Sequence, residues 1–279
     1  MNAAASLIGE TVGRERSRPT ASGRGFLAVS ALLFAASTAV TIEWCGSMSA
    51  MDGMPMPGGW TMSMVWMRMP GQSWPGAAAS FIGMWAVMMV AMMLPSLVPM
   101  LWQYRQAVGR TSETRLNWLT AQVGAGYYFV WTALGAAAFS LGVALAEVEM
   151  ELPALSRLVP MALGVVVLIA GAFQFTRWKS RHLACCREGL ACVGTLPADT
   201  GTAWRHGLRL GLHCSYCCAG LTVILLVIGV MDPRAMAVVT AAITVERLAP
   251  AGERIARGIG IVIVAVGLFL IARAVGPDA

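Results

Sequence analysis

Residues 77–102 read AAASFIGMWAVMMVAMMLPSLVPMLW, 26 positions without one charged side chain. At about 1.5 Å per residue this makes a helix of about 39 Å, longer than the ~30 Å hydrocarbon core of a bilayer. Backbone polar groups have no water to pair with in lipid, so the stretch must be helical; the alternating pattern of a membrane barrel is absent. The rest of the 279 residues shares this character. Hydrophobic residues make up 57% of the chain, charged residues only 12%, and mean hydropathy is +0.68. Soluble domains carry about 25% charged residues, so an ordinary soluble enzyme is excluded.

Six further apolar stretches lie at 25–44, 119–146, 155–175, 207–231, 233–248 and 255–274. They predict an all-α, polytopic transmembrane helical bundle of about seven helices, one domain over residues 25–274. The span at 233–248 is the shortest and carries Glu246 near its end. Residues 1–24 are rich in Arg, Ser and Gly and read as a disordered, basic, cytoplasmic tail. The alternative, a signal peptide over residues 1–44, lacks a small-x-small cleavage site before a polar start, which favours an anchor.

With the N-terminus inside and the C-terminus outside, 16 of the 20 basic residues fall on the inner side, leaving Arg68, Arg157, Arg234 and Arg273 outside. The net charge of +6 is therefore a topology signal, and a nucleic-acid partner has no support. No nucleotide-binding, GxSxG or HExxH pattern appears, so the reading is not that of a hydrolase or nucleotide-driven pump. The expected partners are the lipid bilayer and a metallochaperone or metalloprotein.

Sulfur carries the chemical signal. The outer loop, residues 45–76, contains Met48, Met51, Met54, Met56, Met62, Met64, Met67 and Met69. Thioether sulfur is a soft, uncharged donor that selects copper(I) over zinc or magnesium. Spacings such as Met51-x-x-Met54 and Met54-x-Met56 let a flexible Gly/Pro loop wrap one ion, with Glu43, Cys45 and Asp52 as harder donors. The plainer reading is an interfacial loop with Trp60, Trp66 and Trp74 among the headgroups. Inside the second span, Met84, Met88 and Met92 form one i, i+4 row, and Met89 and Met93 form an adjacent one. Such a stripe also serves simple packing. Pro95 and Pro99 free backbone carbonyls and predict a kink.

Six of the seven cysteines lie between residues 185 and 218. The inner loop, residues 176–206, holds His182, Cys185, Cys186 and Cys192, and the fifth span holds His213-Cys214-Ser215-Tyr216-Cys217-Cys218. On a helix His213, Cys214, Cys217 and Cys218 occupy an arc of about 140°. One helix cannot surround an ion, so further donors must come from the inner loop or from Met92 and Met93. Helical rise places Met93 and Cys217 at similar depth, roughly 13 Å in. The reducing side of the membrane disfavours a disulfide framework. Cys214-x-x-Cys217 is also a redox spacing, and buried cysteine packs as a small hydrophobe. Glu246 is expected to neutralise a cation, to pair with Arg247 or to sit at the interface.

The Met-Met-Leu-Pro-Ser-x-x-Pro-Met pattern in residues 85–100, the Cys-x-x-Cys-Cys helix in residues 213–232, and residues 242–248 resemble a bacterial domain-of-unknown-function family. That family is described as predicted metal-binding integral membrane proteins, and the resemblance covers roughly residues 77 to 250. It implies a multi-pass inner-membrane protein whose cysteines and histidines bind metal. Met92, Met93, Cys214, Cys217 and Cys218 match its pattern; His213 is added from chemistry alone. The sequence thus points to binding, transport or hand-over of a soft metal ion, copper(I) ahead of zinc. The competing readings are a membrane thiol oxidoreductase or cofactor-assembly factor using Cys214 and Cys217, and a structural subunit in which Met and Cys only pack.

Overall fold

The computed structural model describes residues 21–49, 53–68, 71–108, 111–188 and 196–276. Its elements in chain order are α1 (Ala21–Ser49), β1 (Met54–Met56), β2 (Trp60–Met62), a 3₁₀ turn (Met64–Trp66), α2 (Trp74–Ala107), α3 (Glu113–Glu151), the single turn α4 (Pro153–Ser156), α5 (Val159–Phe173), α6 (Arg177–Glu188), α7 (Thr200–Ile228), α8 (Pro233–Leu248) and α9 (Gly252–Val275). Among the described residues the fold is all-α apart from one small hairpin. Helices α1, α2, α3, α7 and α9 are long and apolar enough to cross a membrane.

The expected fourth and sixth spans are shorter than a bilayer requires. α5 has 15 residues and α8 has 16, against about 20 for a full crossing. α5 turns by 64° into α6, and only the bent pair together qualifies as a broken span. The break has a local cause. Backbone N–H groups of Gln174, Phe175 and Thr176 close tight turns onto Gly171, Ala172 and Phe173, and the Thr176 hydroxyl then accepts from the Lys179 N–H to start a new helix. Lys179 is buried, and its ammonium bonds Gln174 and the Glu246 carboxylate, the latter at 2.8 Å. Glu246 thus pairs with Lys179 rather than with Arg247. Both are charges that solvent would otherwise hold, so the pair pins α6 to α8.

Both expected loops are largely ordered. Residues 177–188 and 200–206 of the inner loop are helical, and α7 starts at Asp199, whose carboxylate accepts from Thr202 N–H at 2.8 Å. The hydroxyl and backbone N–H of Thr202 hold that carboxyl below its usual range, so the cap is ionised at neutral pH. Ala21 to Arg24, assigned above to the tail, belong to α1. In the Met-rich outer loop Met54 pairs with Met62 and Met56 with Trp60 across an antiparallel hairpin. Its turn needs Gly58 and Gly59, both at positive φ (104° and 75°), where a side chain would be strained. α2 runs through Pro95 and Pro99 as one helix.

Side-chain bridges sort the connections into two ends. Arg105 bonds Ser22, Asn117 and Thr120, and Arg115 bonds the Ala198 carbonyl, gathering the start of α1, the end of α2 and the starts of α3 and α7. At the opposite end the Trp60 indole donates to the Ser156 carbonyl at 2.9 Å, tying the hairpin to the α3–α5 connection.

Inside the bundle α7 packs on α3, α5 and α6, while α2 packs on α1, α3 and α8. The α3–α7 approach is close because Gly207 and Gly211 face the Val123 and Tyr127 carbonyls. A Cβ on Gly207 would lie 2.3 Å from the Val123 oxygen. Gly207→Ala is therefore expected to force the helices apart at a cost of about 3 kcal/mol, the upper end of overpacking. Thermal unfolding in detergent, followed by circular dichroism, should show a clearly lowered midpoint, whereas Gly124→Ala on the same interface partner, with open space around it, should not.

Candidate metal centre

The Gly207 and Gly211 contacts set α7 against α3 so that the next turns of α7 carry three cysteines into the core. Cys214, Cys217 and Cys218 are 0–1% exposed, with all three sulfurs within 4.8 Å of one another. Cys217 and Cys218 Sγ are 3.5 Å apart, and Cys214 and Cys218 Sγ 3.9 Å. A first-row ion bound by thiolates at about 2.3 Å holds neighbouring sulfurs about 3.8 Å apart in a tetrahedron and about 4.0 Å in a trigonal plane. The three sulfurs stand near ligand spacing without a disulfide.

A fourth sulfur comes from α6. Cys186 is buried, with its Sγ 3.9 Å from that of Cys217. One turn away His182 Nδ1 and His213 Nδ1 are 3.0 Å apart. The two helices thus present the same i, i+4 arrangement, His182-x-x-x-Cys186 facing His213-x-x-x-Cys217, matched rung by rung. Trp178 and Tyr216 close around the histidine rung, their ring centroids 4.6 and 5.0 Å from that of His182. The imidazoles are half-buried. Sequence reasoning asked for donors beyond α7; Cys186 and His182 stand beside it because the inner segment is helical and packs on α7.

The electrostatics centre on Arg247 of α8. It is 3% exposed, and its guanidinium donates to Cys214 Sγ at 3.1 Å, Ser96 Oγ at 2.8 Å and Met100 Sδ at 2.9 Å. Tyr127 Oη donates to Cys214 Sγ at 3.0 Å. Among the described residues, the sole ion pair is Lys179–Glu246, so Arg247 meets sulfur and hydroxyl instead of carboxylate. A buried cation requires a counter-charge. The guanidinium's bond to Cys214 Sγ favours the thiolate form of that residue, which is the form that binds metal. Arg247 and Tyr127 were not foreseen. The third span gives no local signal for Tyr127, and Arg247 lies 33 residues from Cys214 in the chain.

The remaining predicted positions fall in three groups. Met88, Met92 and Met93 are 0–3% exposed in the same apolar core as the cysteines. The bonds from α2 to the Arg247 guanidinium, however, come from Ser96 and Met100 further along the helix. Cys185 is exposed on α6, apart from its buried neighbour Cys186. Met54 is exposed and Met56 half-buried on the hairpin. Met51 and Cys192 lie outside the described residues.

No curated protein and no solved structure matches the chain. A family does. Residues 82–270, which include every cysteine, histidine and arginine of this centre, match the PpoB2 family, described as a copper chaperone, and the chain belongs to that family.

Proposed function

We propose that the protein is a membrane copper(I)-binding protein that holds the ion on the α7 thiols and hands it on to a metalloprotein or metallochaperone. The observation that carries this reading is the buried triangle of Cys214, Cys217 and Cys218 at ligand spacing. Soft thiolates suit copper(I) and zinc alike. The copper chaperone family favours copper. Cys186 is the donor that completes a four-sulfur shell or stays back from a three-sulfur one, and the His182–His213 rung lies where an ion leaving the thiols passes to the surface. Arg247 offsets the negative charge that three thiolates around one monovalent ion create.

On this reading the five long helices cross the inner membrane with the N-terminus inside, the bent α5–α6 pair and α8 filling the bundle. Met88, Met92 and Met93 line the way between the hairpin end and the thiols, and Met51, Met54 and Met56 are first contacts for the ion. The thiol-oxidoreductase alternative is disfavoured by burial. Disulfide exchange requires the attacked sulfur to be reached by a partner thiol, and these sulfurs are at most 1% exposed.

The test is elemental analysis of detergent-purified protein loaded separately with copper(I) and zinc, then challenged with a competing chelator. The expected result is copper retained at about one ion per chain under conditions that strip zinc. A protein that cycles through a Cys214–Cys217 disulfide with a partner and retains no metal would replace this reading with the redox one.

A further inference from the structure

The end of the bundle opposite the Arg105 bridges contains an unexplained concentration of sulfur. Two adjoining cavities of about 580 and 370 Å³ open there, between the end of α1, the hairpin, the start of α2 and the α7–α8 connection. Six of the twenty residues lining them are methionine, in a chain with 19 methionines among 279 residues. These six come from the end of α1 (Met48), the hairpin and the turn after it (Met62, Met64, Met67), α2 (Met84) and the α7–α8 connection (Met231), four parts of the chain that the fold brings together. Met48, Met64 and Met231 line both cavities and so mark the seam between them.

A hard donor stands beside that seam. Asp232 lines the smaller cavity, and its Oδ1 accepts from the N–H groups of Arg234 and Ala235 at the start of α8. Methionine has three rotatable bonds, so sulfurs distributed around a cavity converge on an ion at low strain.

The cavity is also connected. Met84, on its wall, begins the α2 row that continues at four-residue intervals through Met88, Met92 and Ser96 to Met100. Met88, Met92, Ser96 and Met100 are all buried, and the last two hold Arg247 against Cys214. A row of four thioethers and the Ser96 hydroxyl, about 24 Å long, therefore runs from this cavity to the guanidinium beside Cys214.

We infer that the seam formed by Met48, Met64 and Met231, with Asp232 beside it, is a second soft-metal site for a monovalent d¹⁰ cation such as copper(I). It is separate from the α7 thiols and at the far end of the α2 sulfur row. The inference deepens the copper reading above by naming where the ion is held between its first contacts on the hairpin and the thiols. Thioether ligands carry no charge and need no deprotonation, so this site binds more weakly than the thiols and with little dependence on pH. That ordering drives an ion from the methionines to the cysteines.

Silver(I), which does not change oxidation state in air, is the probe, and the readout is the number of ions retained per chain in detergent. Wild-type protein should hold two. Met48→Leu/Met64→Leu/Met231→Leu should hold one, and Cys214→Ser/Cys217→Ser/Cys218→Ser should also hold one, weaker and insensitive to pH between 5 and 7. Should the cysteine variant fold poorly, the methionine variant alone decides. An unchanged silver count there overturns the inference, as expected of a cavity that merely houses an acyl chain. If the thiol reading alone were wrong, wild type and the cysteine variant would each hold one ion and the methionine variant none.

Discussion

Copper(I) affinity is expected to fall by at least about 10²-fold in Cys217→Ser. Four-ligand structural metal sites have apparent binding energies of about 10–16 kcal/mol, so one thiolate contributes roughly 3 kcal/mol or more. Cys217 is the position where the loss should be greatest. Its sulfur stands 3.5 Å from that of Cys218 and 3.9 Å from that of Cys186, so it belongs to the α7 triangle and to the α6 rung together. Serine keeps the size and the hydrogen bond to the Cys214 carbonyl, now made by the thiol at 3.3 Å, so the fold should be retained. Competition against a chromogenic copper(I) chelator measures the effect. Cys185→Ser, an exposed position one residue from Cys186, should leave affinity unchanged. A Cys217→Ser variant with wild-type affinity would show that the triangle only packs.

Arg247→Met should weaken copper(I) binding about 10–100-fold near neutral pH, the range expected when an outer partner of a metal ligand is lost. The guanidinium favours the charged form of Cys214. Without it the metal-bound thiolates lose the buried positive charge that offsets theirs. Arg247→Lys keeps the charge but not the fork that reaches Ser96, Met100 and Cys214 together. It should recover part of the affinity. Affinity measured at neutral pH in the three proteins gives the answer. Wild-type affinity in Arg247→Met would remove the guanidinium from the account.

The long helices were legible in the sequence because each decides its own structure. Residues 77–102 have no charge to place in lipid, and the α7 cysteines share one face by helical spacing alone. What escaped prediction depends on partners distant in the chain. α6 is held against α8 because Lys179 finds Glu246, 67 residues away, and nothing near Lys179 announces that a cation will be buried. Arg247 reads locally as one more basic residue on the inner side, yet the packing of α8 on α2 and α7 aims it at sulfur. The hairpin is a different case. Pro57-Gly58-Gly59 between Met56 and Trp60 is a turn signal within the sequence itself, outweighed in the reading by the density of methionine around it.

X-ray absorption at the copper edge, on detergent-purified protein loaded with one equivalent of copper(I), tests the central claim most directly. Three or four sulfurs at thiolate distance, about 2.3 Å, with no nitrogen or oxygen in the inner shell and one sulfur fewer in Cys217→Ser, is the predicted spectrum. A copper shell built from nitrogen and oxygen, or a sulfur shell that the Cys217→Ser change leaves intact, would contradict it.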